Sequence, residues 1–322
     1  MNIRIPVPAS EQTTPKSSRA RPTSKAQIRE MVSGYLFAAP WMLGFLLFTL
    51  GPLLASLYYS MNRYTLMEKP AWLGLNNYAT AMTGDRLFWK SVERTLLWSL
   101  TTVPLGITGS LLAALLLNRH VTGTTLWRIC FFLPSLTPQV AATMLWVWLL
   151  QPDIGVINST IRMVFGVKGP PWLASTQWAL PSLIMISLWT GIGGNRMLIF
   201  LAGLQGVPME LYDAAVVDGA NWLQKTQHVT LPLITPTIFF NSALGIISSF
   251  QVFGMAFVAT EGGPRYSTYF YALHLYQTSF RSFDMGYGSA LAWILFLALL
   301  VLTVVQMKLS NRWVYYAAAP RR

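Results

Sequence analysis

Residues 206–232 read GVPMELYDAAVVDGANWLQKTQHVTLP, a polar stretch between two long apolar segments of the chain. The acidic residues Glu210 and Asp213 suit the positively polarised N-terminal end of a helix. Gly219 permits a turn after that helix, because a residue without a side chain adopts a positive φ at little cost. A second short helical stretch is predicted over residues 220–229. The stretch therefore predicts two short helices at the surface of an apolar helical protein.

The segments on either side belong to a set of six apolar stretches, each about as long as the ~20 residues that a membrane-spanning helix needs. Of all 322 residues, 53% are hydrophobic and only 11% are charged. Soluble domains carry ~25% charged residues, so a soluble protein of this size is excluded. The six stretches are residues 34–59, 95–117, 129–150, 178–201, 233–258 and 288–307. We therefore predict an all-α integral membrane protein with six transmembrane helices.

Basic residues give the orientation of these helices. The loop at residues 118–127 contains Arg119 and no acidic residue, and the C-terminal end carries Arg321 and Arg322 without an acid. Lysine and arginine sort to the cytoplasmic side of a membrane. Both termini are therefore predicted to be cytoplasmic (N-in, C-in).

Composition also divides the chain into three parts. Residues 1–31 are rich in Ser, Thr, Pro and basic residues and are predicted to form a disordered cytoplasmic tail. Residues 32–316 form the transmembrane domain, and residues 317–322 form a C-terminal tail. The net charge of +12 does not indicate nucleic-acid binding, because the basic residues are dispersed among loops and tails.

Sequence patterns of catalysis and of metal binding are missing. The chain has no Gly-Lys dipeptide, hence no Walker A phosphate loop, and no GxSxG nucleophile elbow. His120, His228 and His274 lie far apart without metal-ligand spacing, and Cys130 is the single cysteine. We expect no catalytic residue, no metal and no cofactor on this chain.

The placement of the acidic residues bears on the source of energy. All 11 fall in tails or loops, or at a span edge in the case of Glu93. Ion-coupled transporters commonly keep ionisable residues within the membrane. Since the span interiors lack acidic residues, we expect that the energy for moving a solute uphill comes from a source other than a coupled ion. An ion-coupled secondary transporter acting alone stays open as the alternative, because sodium sites can be built from carbonyls and hydroxyls.

The opening stretch resembles a known motif. Its pattern is Asp213-Ala214-Ala215, three residues, Gly219, nine residues, and Val229-x-Leu231-Pro232. It resembles the EAA loop of the permease subunits of binding-protein-dependent ABC importers, with Asp in place of Glu and Val in place of Ile. We name residues 205–232 the EAA segment. The resemblance implies that the residues coupling this chain to an ATPase are Glu210, Asp213, Ala214, Ala215, Gly219, Trp222, Leu231 and Pro232.

Outer-loop patterns narrow the resemblance. Gly74-Leu-Asn-Asn-Tyr78 and Glu261-Gly-Gly-Pro264 are similar to segments of carbohydrate-uptake permeases of the MalF/UgpA-like type. The resemblance implies a MetI-like permease fold in the inner membrane of a bacterial or archaeal cell. It also implies a non-catalytic subunit that forms half of the translocation pathway for a di- or oligosaccharide. Glycerol 3-phosphate or a polyol is the alternative substrate.

The same resemblance implies a set of partners. These are a homologous MalG/UgpE-like second permease, a dimer of ABC ATPase subunits that carry ATP and Mg²⁺, an extracytoplasmic solute-binding protein, the carbohydrate and membrane lipid. ATP hydrolysis would then belong to the partner subunits.

Substrate contacts are expected where the family places them, in the inner half of span four and the middle of span five. Sugars stack on aromatic faces and bond to amides and hydroxyls. The candidates are Trp189, Asn195, Ser248, Ser249 and Gln251. The competing interpretation is that such polar groups bond neighbouring helices and that Trp marks a membrane interface. For Arg196 we expect snorkelling to the inner surface, with contact to an anionic solute as the alternative.

Overall fold

The structure is a computed structural model that describes residues 25–118 and 123–315. The chain divides into two units, Met1–Ala55 and Ser56–Arg322. The first helix begins at Lys25, so residues 25–31, which we assigned to the disordered tail, are helical. Once a helix has nucleated, extending it by a turn costs little, even for polar residues. Residues 1–24 of the predicted N-terminal tail, Arg119 and the predicted C-terminal tail lie outside the described residues.

Helices dominate the described chain. In chain order they are α1 Lys25–Phe45, α2 Gly51–Ser60, α3 Asn76–Ala79, α4 Arg86–Leu117, α5 Thr124–Leu136, α6 Gln139–Leu149, α7 Val156–Phe165, α8 Ala179–Gly191, α9 Asn195–Gln205, α10 Met209–Val217, α11 Trp222–Lys225, α12 Leu231–Leu233, α13 Thr235–Phe250, α14 Gly254–Ala259, α15 Tyr271–Tyr276 and α16 Met285–Ser310. Short π-helical turns occupy Leu46–Leu50, Thr80–Gly84, Thr226–Thr230 and Gln277–Arg281.

A small hairpin departs from the all-α prediction. The two-residue strands β1 (Asn62–Arg63) and β2 (Ala71–Trp72) pair antiparallel, with Asn62 opposite Trp72. The hairpin lies in the loop between the first two predicted spans, so it leaves the helical architecture unchanged.

Three helical segments of the described chain are long and apolar enough to cross a membrane singly: Ile28–Ser60, Arg86–Leu117 and Met285–Ser310. Three further pairs of helices meet this criterion only together, and the number rises to 6 if each bent pair is one span. The bends are 93° between α5 and α6, 47° between α8 and α9, and 66° between Trp222–Leu233 and α13. The six-span count therefore stays a prediction.

Local backbone conformation accounts for two of the three bends. Thr137, between α5 and α6, is extended with ψ of 129°, as expected for a residue that precedes proline, here Pro138. Gly194, between α8 and α9, adopts an extended conformation with ψ of −152°. The fifth predicted span also proves wrong at its end, because α13 stops at Phe250 and a turn separates it from α14.

Helix α4 connects the packed interior, and it packs against α8, α9 and α13. One buried cluster surrounds Trp98 and includes Leu183, Ile186 and Phe270. We call it the upper cluster. A second one surrounds the C-terminal end of α4 and its members are Ala113, Ala114, Leu117, Met197, Phe200, Leu201, Leu204, Val207 and Ile234. We call it the lower cluster. A cavity lies between the two.

Candidate functional site

This central cavity has a volume of about 530 Å³, which is within the range of small-molecule sites. Its walls come from α4, α6, α8, α9, α13 and α14 and from the turn after α13. The lining residues are Trp98, Thr102, Val103, Gly106, Gln139, Ser187, Leu188, Gly191, Arg196, Gly245, Ser248, Ser249, Gln251, Val252, Phe253, Gly254 and Met255. The set mixes hydroxyl and amide groups with apolar side chains and one guanidinium.

Three of the five expected substrate residues line this cavity: Ser248, Ser249 and Gln251. Trp189 and Asn195 are not among the lining residues. Trp189 instead stands edge-on to Trp146, with ring centroids 5.4 Å apart. Asn195 is exposed at the start of α9. The structure therefore brings together the candidates on α13 and the turn after it, and separates them from the candidates on α8 and α9.

The hydroxyl of Ser249 is already engaged. It donates a hydrogen bond to Ser99 Oγ at 2.7 Å, and the carbonyl oxygen of Ile246 lies 2.8 Å away as the other acceptor within reach of the same proton. Ser248 is exposed to the cavity, and its hydroxyl donates to the carbonyl of Leu244. Ser249 therefore joins α13 to α4, whereas Ser248 and Gln251 face open space.

Arg196 occupies the cavity and does not snorkel, so the expectation for this residue is corrected. A Cβ built on Gly106 would collide with Nη1 of Arg196, and one built on Gly245 would lie 3.7 Å from Nη2. Both glycines lie inside helices, Gly106 in α4 and Gly245 in α13. The guanidinium thus fills a space that only the absence of these side chains leaves open.

Sequence reasoning missed several polar lining groups. Thr102, Gln139 and Ser187 come from three different helices. A hydroxyl or amide inside an apolar span is ambiguous, because it bonds neighbouring helices as readily as a ligand. Gly106 carried a signal, since a glycine within an apolar helix often marks a close approach.

The EAA segment forms the predicted pair of short helices. Helix α10 has Glu210 in its first turn, and Gly219 follows its end with φ of 76°. The N–H of Gly219 donates to the carbonyl of Val216 at 3.0 Å, and the N–H of Ala220 to that of Ala215 at 2.9 Å. These two bonds make a Schellman motif, in which a left-handed residue satisfies the last helical carbonyls.

A capping box starts the second short helix. The side chain of Asn221 accepts from the N–H of Gln224 at 2.9 Å, and the side chain of Gln224 accepts from the N–H of Asn221 at 2.8 Å. The helical run then passes through the π-helical turn Thr226–Thr230 into α12, which carries Leu231 and Pro232. The N-terminal limit of this helix is therefore fixed by its own side chains.

The inner side of the EAA segment packs on the helical interior. Tyr212 OH lies 3.0 Å from Thr230 Oγ1, which links α10 to the π-helical turn. Tyr212, Val229 and Leu231 pack against the lower cluster, which includes the end of α4. Helix α10 is therefore in direct contact with the residues of the lower cluster.

The outer side of the EAA segment is exposed. Val217 is 87% exposed, Met209 69% and Trp222 53%. Asp213 is exposed and forms none of the ion pairs found among the described residues. An exposed apolar face with the carboxylates of Glu210, Asp213 and Asp218 beside it is a surface that suits a protein partner.

Comparison with known proteins identifies the family. Residues 106–315 match the model of the binding-protein-dependent transport system inner membrane component. The chain belongs to this family. The expected permease resemblance and the helical permease fold are thereby confirmed.

Relatives of the permease extend the match to nearly the whole chain. A protein of Bacillus subtilis (strain 168), named probable ABC transporter permease protein YesP, is 38% identical over 306 residues, 94% of this chain and 98% of that protein. The trehalose/maltose transport system permease protein MalF of Thermococcus litoralis is 30% identical over 290 residues, 90% of this chain and 97% of that protein.

Solved structures agree on the fold. A chain in the crystal structure of a bacterial ABC transporter involved in the import of the acidic polysaccharide alginate superposes with a TM-score of 0.79, covering 89% of this permease and 98% of that chain. The two chains are 22% identical, so the likeness concerns the fold alone.

A partly buried polar cluster of the permease lies at the other end of α4. Asp85 caps α4 by accepting from the N–H groups of Leu87 and Phe88, and its Oδ2 accepts from Tyr287 OH at 2.8 Å. Nε2 of His274 lies 3.1 Å from the same oxygen, without the alignment of a hydrogen bond. We call these residues the Asp85 cluster.

The cluster shifts the pKa values of both His274 and Asp85. Burial lowers the pKa of His274, and the charge of Asp85 offsets only part of this effect. Burial alone would raise the pKa of Asp85, but the hydrogen bonds from Tyr287 and the backbone, with the charge of His274, hold it below its usual range. At neutral pH the cluster therefore favours an ionised Asp85 beside a neutral His274.

Proposed function

We propose that this permease forms half of the translocation pathway of an ABC importer for a carbohydrate. Six membrane spans with cytoplasmic termini would place the EAA segment inside the cell and the Asp85 cluster outside it. The observation that carries the proposal is the central cavity, which is joined to the exposed EAA segment through the lower cluster.

The cavity suits a polyhydroxylated solute. Hydroxyls and amides of Thr102, Gln139, Ser187, Ser248 and Gln251 offer both donors and acceptors to sugar hydroxyls. Trp98 adds an indole to the wall, and aromatic faces pack against sugar rings. The names of relatives such as the trehalose/maltose permease support the same class of substrate.

The partners follow from the exposed EAA segment. We assign Glu210, Asp213, Ala214, Ala215, Gly219, Trp222, Leu231 and Pro232 to the contact with an ATPase dimer, in which ATP and Mg²⁺ would reside. The small side chains of Ala214 and Ala215 border a groove of about 460 Å³ with Asp218, Lys225 and His228. A second permease of the same family and an extracytoplasmic binding protein would complete the importer.

Reconstitution tests this proposal. Proteoliposomes with the complete transporter and its binding protein should accumulate the binding protein's sugar only when ATP is inside, and removal of the ATPase subunits should stop uptake. Proteoliposomes with this permease alone are the control. Accumulation driven by a proton or sodium gradient in the control would establish the secondary transporter instead.

A further inference from the structure

The central cavity contains one positively charged side chain from the described residues, that of Arg196. Arg196 is its only charged lining residue among the described residues, and the guanidinium reaches the space beside Gly106 and Gly245. Ionisable residues inside a membrane are costly and mark functional sites that include a partner of opposite charge. An anionic group is therefore expected to pair with Arg196.

The described part of the chain supplies no such partner. Its ion pairs involve Glu68, Glu93, Asp85 and Glu261, and none of them includes Arg196. The described residues of the cavity wall include no carboxylate, and the guanidinium forms no hydrogen bond with a described residue. Removing a charge from water without a counter-charge is unfavourable. The charge is therefore open to a ligand.

We propose that Arg196 binds a sugar carboxylate, so that the substrate of the transporter is an oligosaccharide that contains a uronic acid. This inference rests on the proposed function and names its substrate class. The planar guanidinium fork matches the two oxygens of a carboxylate in a bidentate pair. The neutral lining groups, such as Gln139, Ser187 and Ser248, then serve the hydroxyls of the same sugar.

Charge balance separates this substrate from a sugar phosphate. A phosphate monoester carries about −1.5 to −2 charges at neutral pH. Arg196 is the single charge in the described lining, so a phosphate would keep part of its charge unbalanced in the cavity. A uronic acid carries one negative charge and leaves the site neutral.

Sugar binding to the purified complex tests the inference. The complex contains this permease, its partner permease and the ATPase subunits, without binding protein, so that only the membrane part selects the ligand. The probes are three disaccharides with one carboxylate each, compared with their uncharged counterparts: β-1,4-glucuronosyl-glucose with cellobiose, α-1,4-galacturonosyl-galactose with α-1,4-galactobiose, and β-1,4-mannuronosyl-mannose with β-1,4-mannobiose. We expect at least one uronate to bind roughly tenfold or more tightly than its counterpart, as a charge-assisted pair implies.

Variants assign this preference to Arg196. Arg196→Gln should remove the preference, and Arg196→Lys should keep part of it, because the charge remains but the bidentate fork is lost. The matched control is Arg162→Gln, which removes the same charge from an exposed position on α7, outside the cavity lining, and should keep the full preference.

Three results would overturn the inference: neutral sugars binding as tightly as uronates, a preference that survives Arg196→Gln, or no binding of any uronate. Each leaves the proposed function standing if the complete transporter still accumulates a neutral sugar with ATP. Failure of the proposed function would show itself separately, as an absence of ATP-dependent uptake.

Discussion

The hydroxyl of Ser249 donates a hydrogen bond to the hydroxyl of Ser99 at 2.7 Å, and both residues are buried. This contact joins α13 to α4 beside the central cavity. Loss of one such bond costs ~0.5–1.5 kcal/mol. We expect Ser249→Ala and Ser99→Ala each to lower the thermal stability of the permease by about that amount, and the double variant to cost less than the sum, which a double-mutant cycle measures.

Gln251 and Ser248 are expected to behave differently. Both are exposed to the cavity, so replacing either with Ala removes groups that are available to substrate. We predict a several-fold rise in the sugar concentration needed for half-maximal uptake, from ~0.5–1.5 kcal/mol per lost hydrogen bond, at unchanged stability. Ser249→Ala is the comparison. Equal effects of Ser248→Ala and Ser249→Ala on uptake and on stability would contradict the distinction.

Gly106 is predicted to fix the position of the guanidinium. A methyl group there collides with the flexible end of Arg196 and lies at an ordinary contact distance of 3.8 Å from Leu188 Cδ2, so Gly106→Ala should fold but push the guanidinium away. We expect uptake to fall at least severalfold while the amount of protein in the membrane is retained. Gly34→Ala is the matched control, since a Cβ at that helical glycine meets nothing within 4 Å. Wild-type uptake by Gly106→Ala would show that the guanidinium position is not required.

The EAA segment gives the most direct test of coupling. Asp213→Lys reverses an exposed charge, and Gly219→Val forces a β-branched residue to φ of 76°, which costs about 1–2 kcal/mol. Both should abolish uptake and weaken co-purification of the ATPase, with insertion in the membrane intact.

Asp213→Glu is the control for that experiment, because it keeps the charge and introduces the residue usual in the EAA pattern. It should retain uptake. Normal uptake and ATPase binding in both Asp213→Lys and Gly219→Val would remove the assignment of this segment as the coupling element.

The Asp85 cluster predicts a loss of stability in acid. The pKa of His274 is lowered in the folded protein, so the contribution of this residue is present above its ordinary pKa, ~6.5, and is lost as the pH falls. The lowered pKa of Asp85 acts in the same direction below about pH 4, where its carboxylate begins to be protonated in the unfolded state. The melting temperature should therefore fall between pH 7 and pH 5, and again at lower pH.

Two variants separate these contributions. His274→Gln should flatten the upper part of the pH profile, and Asp85→Asn should lower stability by ~1.5–3 kcal/mol at pH 7, as expected for lost hydrogen bonds to a charged group. Asp153→Asn removes an exposed carboxylate and serves as the control. A melting temperature of His274→Gln that follows the wild-type profile from pH 7 to pH 5 would refute the role of this histidine.

Long elements could be predicted from the sequence because their signal is local. The apolar length of α4 and α16 shows directly in composition, and the Schellman turn at Gly219 follows from one glycine at the right spacing. The bend at Thr137 was missed, although a proline at position 138 disfavours a helical conformation of the residue before it. Counting apolar residues measures the length of a span and takes no account of backbone conformation. The first and last residues of an apolar stretch therefore do not predict whether the helix between them bends.

The site was harder to predict for a different reason. Ser248 and Gln251 lie in one stretch of chain, so both line the cavity together, but their contact with substrate stays a prediction. The position of Arg196 depends on Gly106 and Gly245, which belong to other helices. No pattern in the sequence near Arg196 indicates that its side chain packs against glycines of other helices. The expectation of snorkelling therefore rested on hydrophobicity alone. Asn195, one residue away, points to a different environment.

The cavity between the upper and lower clusters has a mechanical consequence. Helix α4 belongs to both clusters, with Trp98 in one and Ala113 in the other, and Thr102 and Gly106 face the void between them. A gap has no interdigitated side chains to pull apart, so flexing α4 at this level sacrifices far less dispersion energy than flexing it within either cluster. We therefore expect a push on α10 to tilt the part of α4 in the lower cluster, while the part in the upper cluster keeps its packing.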